Sequence, residues 1–209
     1  MLGIHELWLF VLSGLLLNVT PGPDTAYIIG RTIQLGWRGG AAAAIGISCG
    51  CLVHVLGAAI GLSALLMASS TAFLAVKLIG AAYLVLTGLQ MLLSRTKPIA
   101  EVAGQAGETS ISRVFWQGAL TNILNPKVAL FFLALLPQFI AVDAPDKTLA
   151  FLFLGAWFIV QGLAFLLVLV ALVTPLRRSR PRPWVGRGLN LGGAGLFTVL
   201  AAKLALTKP

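Results

Sequence analysis

Long apolar runs separated by short polar or basic stretches dominate the chain. Six are marked, at about 7–35, 41–67, 73–93, 114–140, 149–175 and 189–206. A helix crosses the hydrocarbon core of a bilayer with about 20 mostly apolar residues, so each run predicts one transmembrane helix. Proline breaks two of the runs, the first at Pro21-Gly22-Pro23 and the fourth at Asn125-Pro126. The predicted fold is an all-α integral membrane protein of six transmembrane helices. Residues 1–93 hold the first three, 94–112 a connection on the cytoplasmic side, and 113–209 the second three.

Composition agrees. Of 209 residues, 58% are hydrophobic and 10% charged, against about 45–50% and about 25% in an ordinary soluble domain. A soluble domain of this composition would expose apolar surface large enough to aggregate, and the low polarity also argues against disorder. Two cysteines are too few for a disulfide scaffold. The first run does not read as a cleavable leader, because His5 and Glu6 replace a basic n-region and no small-residue cleavage site follows. It is expected to remain as the first span.

The net charge of +9 is unevenly placed. Arg31 and Arg38 close the first run, and Arg95, Lys97 and Arg113 flank the third connection. Arg177, Arg178, Arg180, Arg182 and Arg187 fill the fifth, while the alternate connections hold only Lys147, with Lys208 at the C-terminus. The positive-inside rule makes the three basic connections cytoplasmic and turns both termini outward. The charge therefore reads as orientation in a membrane, and no nucleic-acid partner is expected. Contact of residues 177–187 with anionic lipid is a second reading.

The two halves resemble each other. Asn18-Val-Thr-Pro21 aligns with Asn122-Ile-Leu-Asn125-Pro126, and Gly80-Ala-Ala-Tyr-Leu with Gly193-Ala-Gly-Leu-Phe, at similar offsets. An odd number of spans per repeat makes the halves insert in opposite senses, the inverted-repeat plan of many secondary transporters.

The chemistry gathers at the two breaks. Proline in a helix removes a donor and clashes with the preceding turn, and in lipid the freed backbone groups need protein or water as partners. Pro21-Gly22-Pro23 is expected to end one half-helix, with Thr20 or Gly22 capping the next; Asn125 caps the second break, with Pro126 at the first helical position. Half-helix N-termini carry free amide donors suited to an anionic group. A pair of kinks that only adjusts packing is the alternative. Asp24 is the one acidic residue near mid-membrane, since Glu6 is terminal and Glu101, Glu108, Asp143 and Asp146 lie in connections. An intramembrane carboxylate is a functional candidate by default. Its candidate roles are carrying a coupled proton, binding an ammonium, or capping a helix. Lys127 is a candidate partner of Asp24 or of a substrate carboxylate. Candidate substrate-binding residues are thus Asn18, Pro21, Gly22, Pro23, Asp24, Asn122, Asn125, Pro126 and Lys127, with His54, Lys77, Tyr83 and Gln161 as further cavity-lining candidates.

Gly46-x-x-x-Gly50 and Gly57-x-x-x-Gly61 predict close helix contact within the bundle, with a homodimer as the other use. Cys49 and Cys51, two apart on one helix, face different directions. They suit neither an intrahelical disulfide nor a chelate. No metal cluster, phosphate loop or cofactor is read from the chain, and no catalytic residue is assigned.

Four motifs in order resemble the LysE/RhtB family of bacterial amino-acid exporters, over nearly the whole chain. They are Asn18-x-x-Pro21-Gly22-Pro23-Asp24, then Gln34-Leu-Gly36 with Gly39 and Gly40, then Lys77-Leu-Ile-Gly80-Ala-Ala-Tyr83-Leu. The fourth is Asn122-x-x-Asn125-Pro126-Lys127, followed by Phe131-Phe and Pro137-Gln138-Phe139. One mild departure is Thr87, where an apolar residue is expected. The resemblance implies a non-enzymatic inner-membrane protein that exports amino acids or close derivatives, with protons as the coupling ion. Neutral, homoserine- or threonine-like substrates are favoured because few charged residues are available to line a site. The rivals are a thiol or electron carrier using Cys49 and Cys51, and an assembly protein with no substrate.

Overall fold

The computed structural model describes residues 2–62, 110–141 and 143–175. The third and sixth runs, the basic segment 177–187, Lys77, Tyr83 and the Gly80/Gly193 match lie outside the described residues.

Helix α1 spans Leu7–Val19 and stops where the sequence predicts. Thr20 precedes a proline and takes an extended conformation, while its hydroxyl donates back to the Leu16 carbonyl at 2.8 Å. Helix α2 then runs Pro23–Gly57, with Gly22 as its N-cap, Pro23 in the first turn and Asp24 beside it. A wider π-type turn, Ala58–Leu62, continues α2. Helix α3, Ile111–Ile123, is capped by the Ser110 side chain. Helix α4, Pro126–Leu130, begins on the Asn125 side chain and continues through a π-type stretch, Phe131–Leu135, into a 3-10 turn, Leu136–Phe139. Helix α5 covers Lys147–Val173, with the Asp146 carboxylate accepting from the Leu149 amide at 2.9 Å.

Helix α2 is not one straight rod. Gly36 sits at φ 71°, a left-handed conformation open to glycine. Eight residues of straight helix rise about 12 Å, yet Gly39 packs against the Arg31 carbonyl and Gly40 against the Thr32 hydroxyl. The chain doubles back at Gly36, so 23–35 and the stretch after the turn lie side by side as two arms. Helices α1 and α3 each have 13 residues, about 20 Å of rise, which is short of the roughly 30 Å hydrocarbon core. Each needs the segment beyond its break to make a span. The pair Ile111–Ile123 and Pro126–Phe139 bends by 45° at that break, and Lys147–Val173 is long and apolar enough to cross alone.

The two broken spans lie antiparallel. At one end Ile4 bridges to Ile140, the His5 amide donates to the Phe139 carbonyl at 3.0 Å, and the Ala141 amide to the Gly3 carbonyl at 2.8 Å. At the other end the Tyr27 hydroxyl donates to the Val114 carbonyl at 2.8 Å, and Arg31 Nη2 to Gln117 Oε1 at 2.8 Å. The start of the first broken segment, 4–35, therefore meets the end of the second, 111–140, and the end of the first meets the start of the second. The two breaks come together between these ends.

Packing follows the small residues. Gly46 and Gly50 lie against the Phe115 and Ala119 carbonyls of α3, so close that a methyl group would overlap them. Gly57 and Gly61 meet nothing within 4 Å among the described residues, so the close contact predicted for this second pair is not made there. The reason is position: both lie beyond the end of α3's reach along α2. Phe10, Phe131, Phe132, Phe139 and Phe158 form one apolar core, with ring centroids of Phe131 and Phe158 4.9 Å apart. Trp8, Trp116, Leu124, Val160 and Leu172 turn outward and are more than half exposed. Such a surface suits lipid or further spans.

Candidate functional site

The site grows from the two breaks. Asp24, in the first turn of α2, is buried although ionisable, at a helix N-terminus whose dipole favours negative charge. Asn122, the penultimate residue of α3, donates through Nδ2 to Asp24 Oδ2 at 2.7 Å. Asn18 is likewise penultimate in α1. The asparagine pair noticed in the repeat thus occupies equivalent places in two helices of equal length.

Lys127 makes no ion pair with Asp24 within 4 Å. Its Nζ donates instead to the carbonyls of Leu17 and Thr20, both at 2.9 Å, and lies over Gly22. Those carbonyls belong to the end of α1, where helical partners run out. The ammonium therefore satisfies the C-terminus of one half-helix from the start of another. Asn125 Oδ1 accepts from the Lys127 amide at 3.1 Å, the cap expected for it, and Pro126 stands in the first turn. Pro21 ends α1, Gly22 is the cap of α2 with no side chain to contribute, and Pro23 opens it. Thr20 closes α1 and leaves the capping of α2 to Gly22.

His54 stands behind this group. Its Nε2 donates to the Asn122 backbone carbonyl at 2.9 Å, and its ring stacks on Phe132 with centroids 6.1 Å apart. It holds the last turn of α3 and hence the residue that binds Asp24. Gln161 Nε2 reaches the Val11 carbonyl at 3.3 Å, tying α5 to α1.

A cavity of about 30 Å³ opens beside the carboxylate, room for a water or two. Asn18, Asp24, Thr25, Ser48, Asn122 and Lys127 supply its polar lining. Buried polar groups normally have partners, yet Asn18 Nδ2, Asp24 Oδ1 and Asn122 Oδ1 have none, and neither do Asn125 Nδ2 and Gln161 Oε1. The residues that line the cavity thus hold one buried donor and two buried acceptors that have no hydrogen-bond partner among the described residues. Of the predicted residues the structure brings Asn18, Asp24, Asn122 and Lys127 to the cavity, with Asn125 and His54 immediately around them. Gln161 is turned to α1.

Sequence reasoning missed Ser48 and Cys51, which line the cavity from α2, and Thr25 beside Asp24. Ser48 and Cys51 are three apart, one helix face, and that spacing is the signal that could have found them. Cys51 is buried and Cys49 exposed, so the two thiols face apart as the helical spacing predicts. No group of three or more His, Cys, Asp or Glu able to hold a metal occurs among the described residues.

The family described as LysE type translocator matches residues 15–208. An uncharacterized membrane protein of Pseudomonas aeruginosa is 30% identical over 210 residues, covering 98% of this chain and 96% of that one. The homoserine/homoserine lactone efflux proteins of Salmonella typhi and Salmonella typhimurium are each 30% identical over 201 residues, covering 96% of both chains. No solved structure matches.

Proposed function

The chain belongs to the LysE/RhtB family of membrane efflux proteins, and from that premise we propose that it exports neutral amino acids or close derivatives, of the homoserine and threonine kind, driven by the proton gradient. The observation that carries this reading is the meeting of two helix breaks at one buried carboxylate beside a cavity with unmatched polar atoms. A zwitterion is complementary to such a wall. Its ammonium donates to Asp24 Oδ1 and Asn122 Oδ1, and its carboxylate accepts from Asn18 Nδ2. Asp24 also carries the coupled proton. Protonation removes the charge that holds the ammonium, so binding and proton uptake exclude each other at one group.

Transport then proceeds by alternating access. The antiparallel broken spans support an inverted repeat of 1–93 on 113–209, rocking about the site. Arg31, Arg38 and Arg113 gather at one end of the described helices, and Glu6, Asp143 and Asp146 at the other. This supports a cytoplasmic-membrane protein with the basic end inside and both termini outside.

The test is efflux from cells expressing the protein and preloaded with labelled amino acids, with and without a protonophore. Accelerated loss that collapses with the proton gradient is expected. In Asp24→Asn, which keeps the shape and the bond to Asn122, export falls to background while insertion is retained. Wild-type export and unchanged pH dependence in that variant would remove the coupling role.

A further inference from the structure

The cavity has two unlike walls. The α1, α2, α3 and α4 sides bring its polar and charged groups, whereas α5 brings Phe158, Ile159, Gly162, Leu163 and Leu166. These positions follow the i, i+4, i+8 face of a helix. The one polar side chain of α5 near this level, Gln161, is turned to the Val11 carbonyl. With the charged ends of a zwitterion held at the breaks, the broadest apolar face that the described residues offer its side chain is that of α5, joined by Leu17, Ile47 and Val128.

Gly162 is the distinctive point on that wall. Glycine inside a helix is destabilising relative to alanine, so a buried helical glycine needs a reason. Gly155 has one in packing: a methyl there would press into Val55. A methyl at Gly162 would meet only the Asn18 amide, at 3.6 and 3.8 Å, which is ordinary contact. Packing within the described residues does not require the glycine. What a longer side chain at 162 would fill is the cavity next to Asn18.

We propose that this face of α5 is the subsite for the substrate side chain, that it accepts uncharged aliphatic or hydroxyl-bearing groups, and that Gly162 sets the size limit. The inference rests on the export reading above and extends it to substrate selection. An anionic or cationic side chain would be buried against Phe158, Leu163 and Leu166 without a partner, a strongly unfavourable placement. A methyl group added to an apolar pocket shifts discrimination by roughly 10- to 200-fold.

The experiment compares wild type, Gly162→Ala and Gly162→Val for export of labelled alanine, homoserine, leucine, lysine and glutamate, normalised to inserted protein. Wild type is expected to export uncharged substrates and to leave lysine and glutamate. Gly162→Ala, which fits without overlap, lowers export of the bulkiest exported substrate at least tenfold relative to alanine, and Gly162→Val lowers homoserine relative to alanine as well. Wild-type export of lysine or glutamate at the neutral rate overturns the uncharged subsite. Unchanged ratios in inserted variants, or an equal fall for every substrate, overturn the role of Gly162 alone. Export of none of the five by wild type overturns the transport reading on which the subsite rests.

Discussion

Lys127 shows how one side chain can serve a site without contacting its carboxylate. A buried ammonium needs several acceptors, and the end of α1 offers two carbonyls with no helical partner. Those at Leu17 and Thr20 meet it at 2.9 Å, so the lysine joins the two breaks mechanically. Replacing it with methionine keeps the stem over Gly22 and removes the donor. Each hydrogen bond to a charged group is worth about 1.5–3 kcal/mol, offset by relief of a buried charge, so the net destabilisation of Lys127→Met is on the order of 1–3 kcal/mol. Thermal unfolding in detergent is expected to show a lowered midpoint, with export impaired. An unchanged midpoint would mean that the α1 end finds another donor. His54 acts one step further back, fixing the Asn122 carbonyl and leaving the asparagine side chain for Asp24.

At the scale of elements, two features shape the site. The turn at Gly36 folds the second arm of α2 back beside the first, and Gly46 and Gly50 let that arm lie directly on α3. Close approach of backbones is the main use of small residues between membrane helices, where no hydrophobic force distinguishes helix from lipid. Gly46→Leu is therefore expected to force α2 from α3 and to destabilise by about 1–3 kcal/mol or more. Gly57→Leu, at a position meeting nothing within 4 Å among the described residues, is expected to fall within about 0.5 kcal/mol of wild type. Thermal midpoints and yields of inserted protein for the pair check this. Equal losses at both positions would assign the effect to insertion in place of packing, since leucine is the better helix former at either.

For the whole molecule, the antiparallel contact of the two broken segments orders the described helices. The same chain end that carries Glu6 meets Phe139 and Ala141 near Asp143, and the opposite end carries Arg31 beside Gln117. With Cys49 and Cys51 replaced, single cysteines at Asp143 and Arg38 report which end is outside. A membrane-impermeant maleimide is expected to label Asp143→Cys in intact cells and Arg38→Cys only after permeabilisation. The reverse pattern would invert the orientation.

Among the described residues, the apolar helices, the two breaks and the Asn125 cap were legible in the order of residues, because each depends on near neighbours. Proline lacks an amide hydrogen, asparagine reaches an amide two residues on, and a run of apolar residues needs lipid. The nomination of Asn18, Asp24 and Asn122 also came from sequence, since a carboxylate and two repeated asparagines beside helix breaks have few bland explanations. Partner choice was not legible. Whether Lys127 would hold Asp24 or the end of α1, and that Asn122 would be the residue on the carboxylate, depended on atoms brought together across 98 to 110 positions of chain. Ser48, Cys51 and Gly162 reached the cavity for the same reason. Their spacing marks a helix face, and only the packed bundle decides what that face sees.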